Sequence, residues 1–119
     1  MLPIKKHIKI DKGWGYELWI TNTEKYCGKL LYFNRNKRCS WHYHKIKDEV
    51  FYLNLGKIEL LYGEADEKAL AHKIILNKGE SFHVPAGLRH QMHALEDSEL
   101  YEFSTQHLEE DSIRVEKGD

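Results

Sequence analysis

Apolar and polar residues alternate along short runs that are separated by turn-forming residues. In the run 15–21, Tyr16, Leu18 and Ile20 share one side of an extended chain. Eight further runs have the same β-rich character: 26–33, 39–44, 49–55, 57–62, 72–76, 81–84, 90–95 and 99–105. Only 65–71 has helical character, and this segment is short enough to be a loop. Many short strands divided by turns predict an all-β sandwich or small barrel.

Turn residues indicate where the chain reverses. Asn54, Leu55 and Gly56 separate two strand candidates, which predicts a hairpin in which Gly56 supplies a positive φ. Pro85, Ala86 and Gly87 predict a second reversal, because proline fixes φ and glycine permits the turn. This second turn would aim the following strand, which begins at His90, back toward the interior.

Length and charge narrow the class of protein. A chain of 119 residues is long enough for one core, so we expect a single domain over residues 1–119. The net charge of -1 and the scattered basic residues argue against nucleic acid or an anionic membrane as partner. Residues 1–11 lack the apolar segment of a secretory signal, and two cysteines make no disulfide framework. We therefore expect a cytoplasmic protein.

Three histidines and a glutamate are the strongest chemical signal. His42 and His44 are two residues apart, so on a strand both side chains project from one face. With Glu49 and His90 they offer three imidazoles and a carboxylate, a set that binds one divalent metal and leaves positions open for substrate. These donors suit Zn, Mn, Fe, Ni or Co. The alternative is that they are surface histidines of a metal-free barrel, and surface positions are also expected for His7, His72 and His107.

The spacing of these residues resembles the two signature motifs of the cupin superfamily. The first motif reads His-x-His, four residues, Glu49, six residues, Gly56; the second runs from Gly79 through Pro85-Ala86-Gly87 to His90. Together they cover residues 39–94, and Asn36 stands where the first motif usually opens with glycine. Asparagine is the next best residue for a left-handed turn. The resemblance implies a double-stranded β-helix, or jelly-roll barrel, whose interior accommodates one small ligand.

Both ends of the chain extend the resemblance. Residues 13–17 (Gly-Trp-Gly-Tyr-Glu) and 110–116 (Glu-Asp-Ser-Ile-Arg-Val-Glu) are similar to segments in the C-terminal domain of bifunctional mannose-6-phosphate isomerases. That family usually has glutamine at the position of His42, and it has valine before arginine where this chain has Arg114 and Val115. The similarity implies a sugar or sugar-phosphate isomerase or epimerase with a polyhydroxylated substrate. The candidate catalytic residues are Glu49, Arg114, Glu102 and Lys29, and weaker candidates are Glu17, Tyr43, Arg89 and Gln91.

Two other functions are compatible with the same residues. Three histidines and a glutamate around Fe or Mn also serve oxygen-using cupins, and a metal-bearing sugar-binding module needs no turnover at all. The assembly is expected to be a homodimer, since a small barrel exposes sheet edges. Residues 1–11 would then pair with a neighbour's edge, or alternatively lie on their own barrel.

Overall fold

Two antiparallel sheets face each other in the computed structural model, which describes residues 4–119. Within that range there are eleven strands: β1 Ile8–Lys12, β2 Gly15–Asn22, β3 Cys27–Phe33, β4 Trp41–His44, β5 Glu49–Leu55, β6 Lys57–Gly63, β7 His72–Asn77, β8 Ser81–Val84, β9 Arg89–Ala94, β10 Ser98–Ser104 and β11 Ser112–Glu116. One sheet has the order β1-β2-β3-β10-β5-β8, and the other has the order β11-β4-β9-β6-β7. This is the predicted jelly roll.

The nine strands predicted from alternation are all present, with ends displaced by at most two residues. The segment 65–71 contains one turn of 3-10 helix, Lys68–Leu70, and a second such turn is Glu109–Asp111. In the described part of the chain, no helix is long and apolar enough to cross a membrane.

Strands β1 and β11 were not predicted, and both lie at sheet edges. Most of their residues are exposed, so neither segment carries an alternating apolar signal. Strand β1 pairs along its whole length with β2 of the same chain, from Ile8 opposite Trp19 to Lys12 opposite Gly15. This part of the N-terminal segment therefore lies on its own barrel, and residues 1–3 of the predicted extension lie outside the described residues.

The turn chemistry expected from the sequence is confirmed at three positions. Asn36 has a φ of 69°, the left-handed conformation that the glycine of the cupin motif would adopt. Gly56 and Gly87 have φ values of 94° and 89°. At Gly56 a side chain is also excluded by space, because an added Cβ would collide with the carbonyl oxygen of Asp97.

The space between the sheets is divided into an apolar end and a polar end. In neighbouring strands of the six-stranded sheet, Leu31, Leu100 and Leu53 lie directly opposite one another and are buried. Two residues further along β3 and β10, Lys29 lies opposite Glu102 on the same inner face. The hydrophobic core thus fills one end of the barrel and leaves charged groups on the wall of the other.

Candidate metal centre

Three histidines meet at the polar end. His42 and His44 lie on β4, and His90 lies on the neighbouring strand β9, directly opposite His42. Their ligand-capable nitrogens all lie within 4.8 Å of one another. His44 and His90 are buried, and His42 is partly buried. These three side chains could hold one metal ion, as the spacing predicted.

Backbone carbonyl groups fix the orientation of the three rings. Each ring places Nδ1 at hydrogen-bonding distance from one carbonyl oxygen, and a carbonyl can only accept, so Nδ1 carries the proton. For His42, His44 and His90 in turn, the carbonyls are those of Ser40 at 2.9 Å, Asp111 at 3.2 Å and Leu88 at 3.0 Å. Every Nε2 therefore keeps a lone pair for a metal, and the carbonyls supply the outer support that metal-binding histidines need.

Glu49 lies beside the place where the three histidine rings meet. Its Oε2 lies 3.4 Å from Nε2 of His90 and 3.6 Å from Nε2 of His44. Ligands that surround Zn tetrahedrally at its usual bond lengths lie about 3.3 Å apart, so these separations fit a shared ion. Within the described chain, Glu49 Oε2 and His90 Nε2 are buried without a hydrogen-bond partner. Buried polar atoms are normally satisfied, and a metal ion would satisfy both.

Burial sets the protonation of these groups. It lowers the pKa of His42 and His44 to about 3 and that of His90 to about 4, so all three imidazoles are neutral. Burial also raises the pKa of Glu49 to about 8, and the charge of Glu102 adds to this effect. Without a metal the Glu49 carboxyl keeps its proton at neutral pH, and a divalent ion would displace that proton on binding.

A buried lysine that the sequence analysis missed links the metal centre to the cavity wall. Lys47 Nζ lies 3.1 Å from Glu49 Oε1, 3.0 Å from Glu102 Oε2 and 3.0 Å from Nδ1 of His107. Burial alone would lower the pKa of Lys47, but the two carboxylates raise it, so the ammonium stays charged. The expected surface position of His107 is wrong, since its side chain is only 10% exposed.

The candidates Lys29 and Glu102 both lie in this network. They are buried on adjacent strands, and Lys29 Nζ lies 3.5 Å from Glu17 Oε1 and 4.3 Å from the centre of the Trp19 ring. Burial by itself would raise the pKa of Glu102, but Lys47 and Lys29 outweigh it and lower the pKa to about 2. Glu102 is therefore an ionised carboxylate deep in the barrel.

Side chains of the metal centre and of this network line one cavity of about 460 Å³: His42, His44, Glu49, Lys47, Glu102, Lys29 and His107. Arg114 of β11 lies directly opposite His42 of β4, which places both on the same side of the sheet. Its side chain is exposed and lines the cavity at the mouth. Glu17 also lines the cavity. The four main candidates, Glu49, Glu102, Lys29 and Arg114, are thus brought together.

Three weaker candidates do not line the cavity. The Arg89 guanidinium lies 3.6 Å from the centre of the Tyr43 ring and 2.9 Å from the Asp66 carboxylate. Gln91 is buried and donates a hydrogen bond to the Cys39 carbonyl. Each follows or precedes a metal-site histidine by one residue, and the alternation of a strand turns it to the opposite face.

The chain belongs to the cupin family, because residues 30–104 match the family described as "Cupin domain". Among solved structures it resembles KdgF from Halomonas sp., with a TM-score of 0.74 and 21% identity over 87% of this chain and 92% of that one. A variant of Bacillus subtilis oxalate decarboxylase gives a TM-score of 0.77 and 19% identity over 91% and 30%, and studies of that enzyme describe Mn(II) centres. The structure of CapF gives a TM-score of 0.80 and 15% identity over 92% of this chain and 34% of that one. No curated protein matches the chain.

Proposed function

We propose that this cupin is a metal-dependent isomerase or epimerase of a small polyhydroxylated molecule, such as a sugar or sugar phosphate. The observation that carries this proposal is the meeting of three neutral imidazoles and a buried carboxylate, of which His42, His44 and Glu49 line the cavity. The same cavity has an ionised glutamate on its wall and an arginine at its mouth. The likeness of both chain ends to mannose-6-phosphate isomerases supports the choice of reaction.

One divalent ion is proposed to bind through His42, His44, His90 and Glu49. The donor set suits several ions, and the Mn(II) of the structurally similar oxalate decarboxylase makes Mn(II) one to test first. When bound, such an ion supplies Lewis-acid polarisation of a substrate oxygen. The protein's part is to fix four donors and to leave the cavity side open.

Glu102 is proposed to carry the proton that an isomerase moves between neighbouring carbons. Its Oε2 accepts hydrogen bonds from Lys47 at 3.0 Å and from Ser104 at 2.8 Å. Among the described residues, no hydrogen bond reaches its Oε1. One oxygen is therefore anchored while the other is free to contact a ligand in the cavity.

Arg114 is proposed to hold the outer, anionic end of the substrate. A guanidinium at the mouth makes paired hydrogen bonds to phosphate or carboxylate. Because this contact lies far from the reacting carbons, Arg114→Ala should raise KM for an anionic sugar more than it lowers kcat. Glu102→Gln should instead lower kcat by about 100-fold or more while metal content stays unchanged.

The direct test is conversion of sugars by protein loaded separately with Zn, Mn, Fe, Ni or Co. Mannose 6-phosphate, fructose 6-phosphate and a set of free pentoses and hexoses are incubated with each form, and products are followed by NMR. Conversion that disappears in Glu102→Gln supports the proposal. If no sugar is converted by fully loaded protein, the isomerase function is wrong and oxygen consumption or simple sugar binding should be measured instead.

The protein is also proposed to act in the cytoplasm. Cys27 and Cys39 are both free and buried. Unpaired thiols are maintained where glutathione and thioredoxin keep the compartment reducing. Fractionation of the native host, with detection by antibody, would test the location.

A second copy of the chain is proposed to cover the outer face of the six-stranded sheet. This outer face, as we call it, consists of apolar side chains that alternate with the cavity-facing ones: Tyr16, Leu18, Ile20, Leu30, Tyr32, Tyr52, Tyr101 and Phe103. Ile20 and Phe103 are 52% and 56% exposed. Side chains of this size present on the order of 600 Å² in total, near the roughly 800 Å² per partner that a stable dimer buries. A patch of this size is at the upper end of what a monomer exposes, and such patches are often interaction sites.

A further inference from the structure

The two buried lysines of the cavity differ in how well their charges are satisfied. Lys47 has three partners at 3.0 to 3.1 Å. For Lys29, whose side chain is 3% exposed, the described chain provides a single ionic contact, Glu17 Oε1 at 3.5 Å. That oxygen already accepts a hydrogen bond of 2.7 Å from Trp19 Nε1. The three N–H donors of the Lys29 ammonium are therefore under-used, although the group is buried.

A buried ammonium without close acceptors is costly, and a buried cation is normally paired and hydrogen-bonded. The Trp19 ring covers one side of the Lys29 ammonium at 4.3 Å and supplies part of the compensation through its π face. The remaining donors line the cavity. An oxyanion that enters the cavity would complete the set of acceptors.

The charged groups of the wall also favour an anionic ligand. Three carboxylates, those of Glu17, Glu49 and Glu102, face three ammonium groups, those of Lys29, Lys47 and Lys12, the last at 4.0 Å from Glu17 Oε2. These charges balance, so a divalent ion makes the site positive and an anion would offset that charge. One N–H donor of Lys29 faces Glu17, and the two that remain match the two oxygens of a carboxylate better than the three of a phosphate monoester.

The distance across the sheet limits the size of that ligand. Lys29 lies on β3, and Glu49 lies on β5, with β10 between them. Two steps between neighbouring strands amount to about 10 Å. A chain of five or six carbons, with an oxygen near the metal at one end and a carboxylate at the other, covers such a span.

We propose that Lys29 anchors the carboxylate of a polyhydroxy acid whose hydroxyl oxygens lie toward the metal centre. Trp19 and Glu17 are positioning residues, because they hold the ammonium at the cavity wall. This inference rests on the proposed function and makes it more specific, since it assigns a hydroxy-carboxylate rather than a neutral sugar as the ligand.

The test compares gluconate with sorbitol, which has the same carbon skeleton without the carboxylate, and with glucose 6-phosphate. Binding to Mn-loaded protein is measured by titration calorimetry. Wild type should bind gluconate at least tenfold more tightly than either comparison ligand. Lys29→Met should lose at least tenfold in gluconate affinity and leave sorbitol binding unchanged, whereas the matched surface variant Lys73→Met should behave as wild type.

Three outcomes would overturn the subsite. The first is equal gluconate affinity in Lys29→Met and wild type, and the second is a preference for gluconate over sorbitol that Arg114→Met loses but Lys29→Met keeps. The third is no gluconate binding to the Mn-loaded wild type up to about 10 mM. A Kd above this concentration would mean less than about 3 kcal/mol of binding free energy. If Lys29→Met does not fold, wild type with ¹³C-labelled lysine side chains serves instead. The Lys29 resonance must then shift on addition of gluconate, and a static resonance during binding contradicts the proposal.

The same experiments separate this inference from the proposed reaction. If gluconate binds through Lys29 but no sugar is converted, the carboxylate subsite is supported and the isomerase proposal is wrong. If a neutral sugar is converted and Lys29→Met does not slow the conversion, the isomerase proposal is supported and the carboxylate subsite is wrong.

Discussion

The two faces of the six-stranded sheet are built from the same strands and have opposite character. On β3, Lys29 projects inward to the cavity, while Leu30 and Tyr32 project outward. On β10, Glu102 is buried inside and Phe103 is 56% exposed outside. A sheet that only supported a core would carry apolar residues along its whole inner face and charged residues in water. At the polar end of the barrel this pattern is reversed, and our proposals complete the inner face with a metal and ligand and the outer face with a second copy of the chain.

The largest expected effect is the loss of metal from the inner site. Replacement of His42 and His90 together by alanine removes two of three imidazoles, so metal content should fall from about one ion per chain to none. Elemental analysis after dialysis measures this directly. His72→Ala, at an exposed position, is the control and should retain the ion. Unchanged stoichiometry in the double variant would disprove the site.

Removal of the ion should also destabilise the wild-type fold. A ligand present at a thousand times its Kd stabilises the native state by about 4 kcal/mol. Chelation should therefore lower the Tm of wild type and leave the Tm of the double variant unchanged. Equal shifts in both proteins would show that the chelator acts elsewhere.

The next largest effect concerns the buried charges of the inner face. Lys47→Met leaves the ionised carboxylate of Glu102 without its closest cation, and loss of one partner from a buried ion pair costs about 3–5 kcal/mol. Urea unfolding measures the free energy of unfolding. Lys45→Met, at an exposed position of the same loop, should cost less than about 0.5 kcal/mol.

A second substitution tests whether charge is the cause. Adding Glu102→Gln to Lys47→Met removes the carboxylate that has lost its cation, so part of the lost stability should return. If the double variant is less stable than Lys47→Met, shape and packing rather than charge explain the single substitution.

The outer face has its own test. If a second copy covers it, the wild type is a dimer, and Phe103→Lys should weaken association by about 100-fold or more because a charge would be buried without a partner. Light scattering at micromolar concentration measures the mass. Leu70→Lys changes an apolar residue that is 69% exposed but lies in the 3-10 turn, so it should leave the dimer intact. A wild-type monomer would end the proposal.

The difference between the faces also explains how far the sequence could be interpreted. Alternation predicted strand β2 correctly, but its apolar parity, Tyr16, Leu18 and Ile20, lies on the outer face and not in the core. The side on which a strand packs depends on neighbours that are distant in sequence. The motif histidines were predictable because a spacing of two residues already determines that His42 and His44 share a face.

Lys47 and His107 could not be recognised in the same way. Lys47 lies in a short loop with Lys45 and Asp48 close by in sequence, and a lysine in such a place is usually solvated. It is buried because Glu102, 55 residues away, reaches it across the sheet. His107 lies in the link between β10 and β11, where two hydrogen bonds with Asn22 hold its backbone beside the cavity. Only the tertiary fold contains these contacts.

The smallest effect expected here comes from the loop that carries Lys47 into the site. The Asp111 carboxylate accepts hydrogen bonds from the backbone N–H groups of Lys45, Ile46 and Lys47 at 2.9, 3.0 and 2.9 Å. Asp111→Asn keeps the shape but replaces an acceptor oxygen with an amide group that can only donate, so about 1–3 kcal/mol of stability should be lost. Hydrogen exchange at these three amides should become faster than exchange elsewhere in the chain. A loss of global stability alone would not affect these three amides selectively.

Asp48→Asn is the matched control for this loop. Asp48 forms an ion pair of 2.7 Å with His83, and both side chains are more than half exposed, at 55% and 58%. Exposed pairs contribute little, so this substitution should cost less than about 1 kcal/mol and leave the exchange of the three amides unchanged. Equal effects of the two substitutions would mean that the loop is held by its general surroundings and not by the Asp111 carboxylate. A specific effect of Asp111→Asn would show that the 3-10 turn before β11 holds Lys47 against the inner face, through the same residue whose carbonyl orients His44.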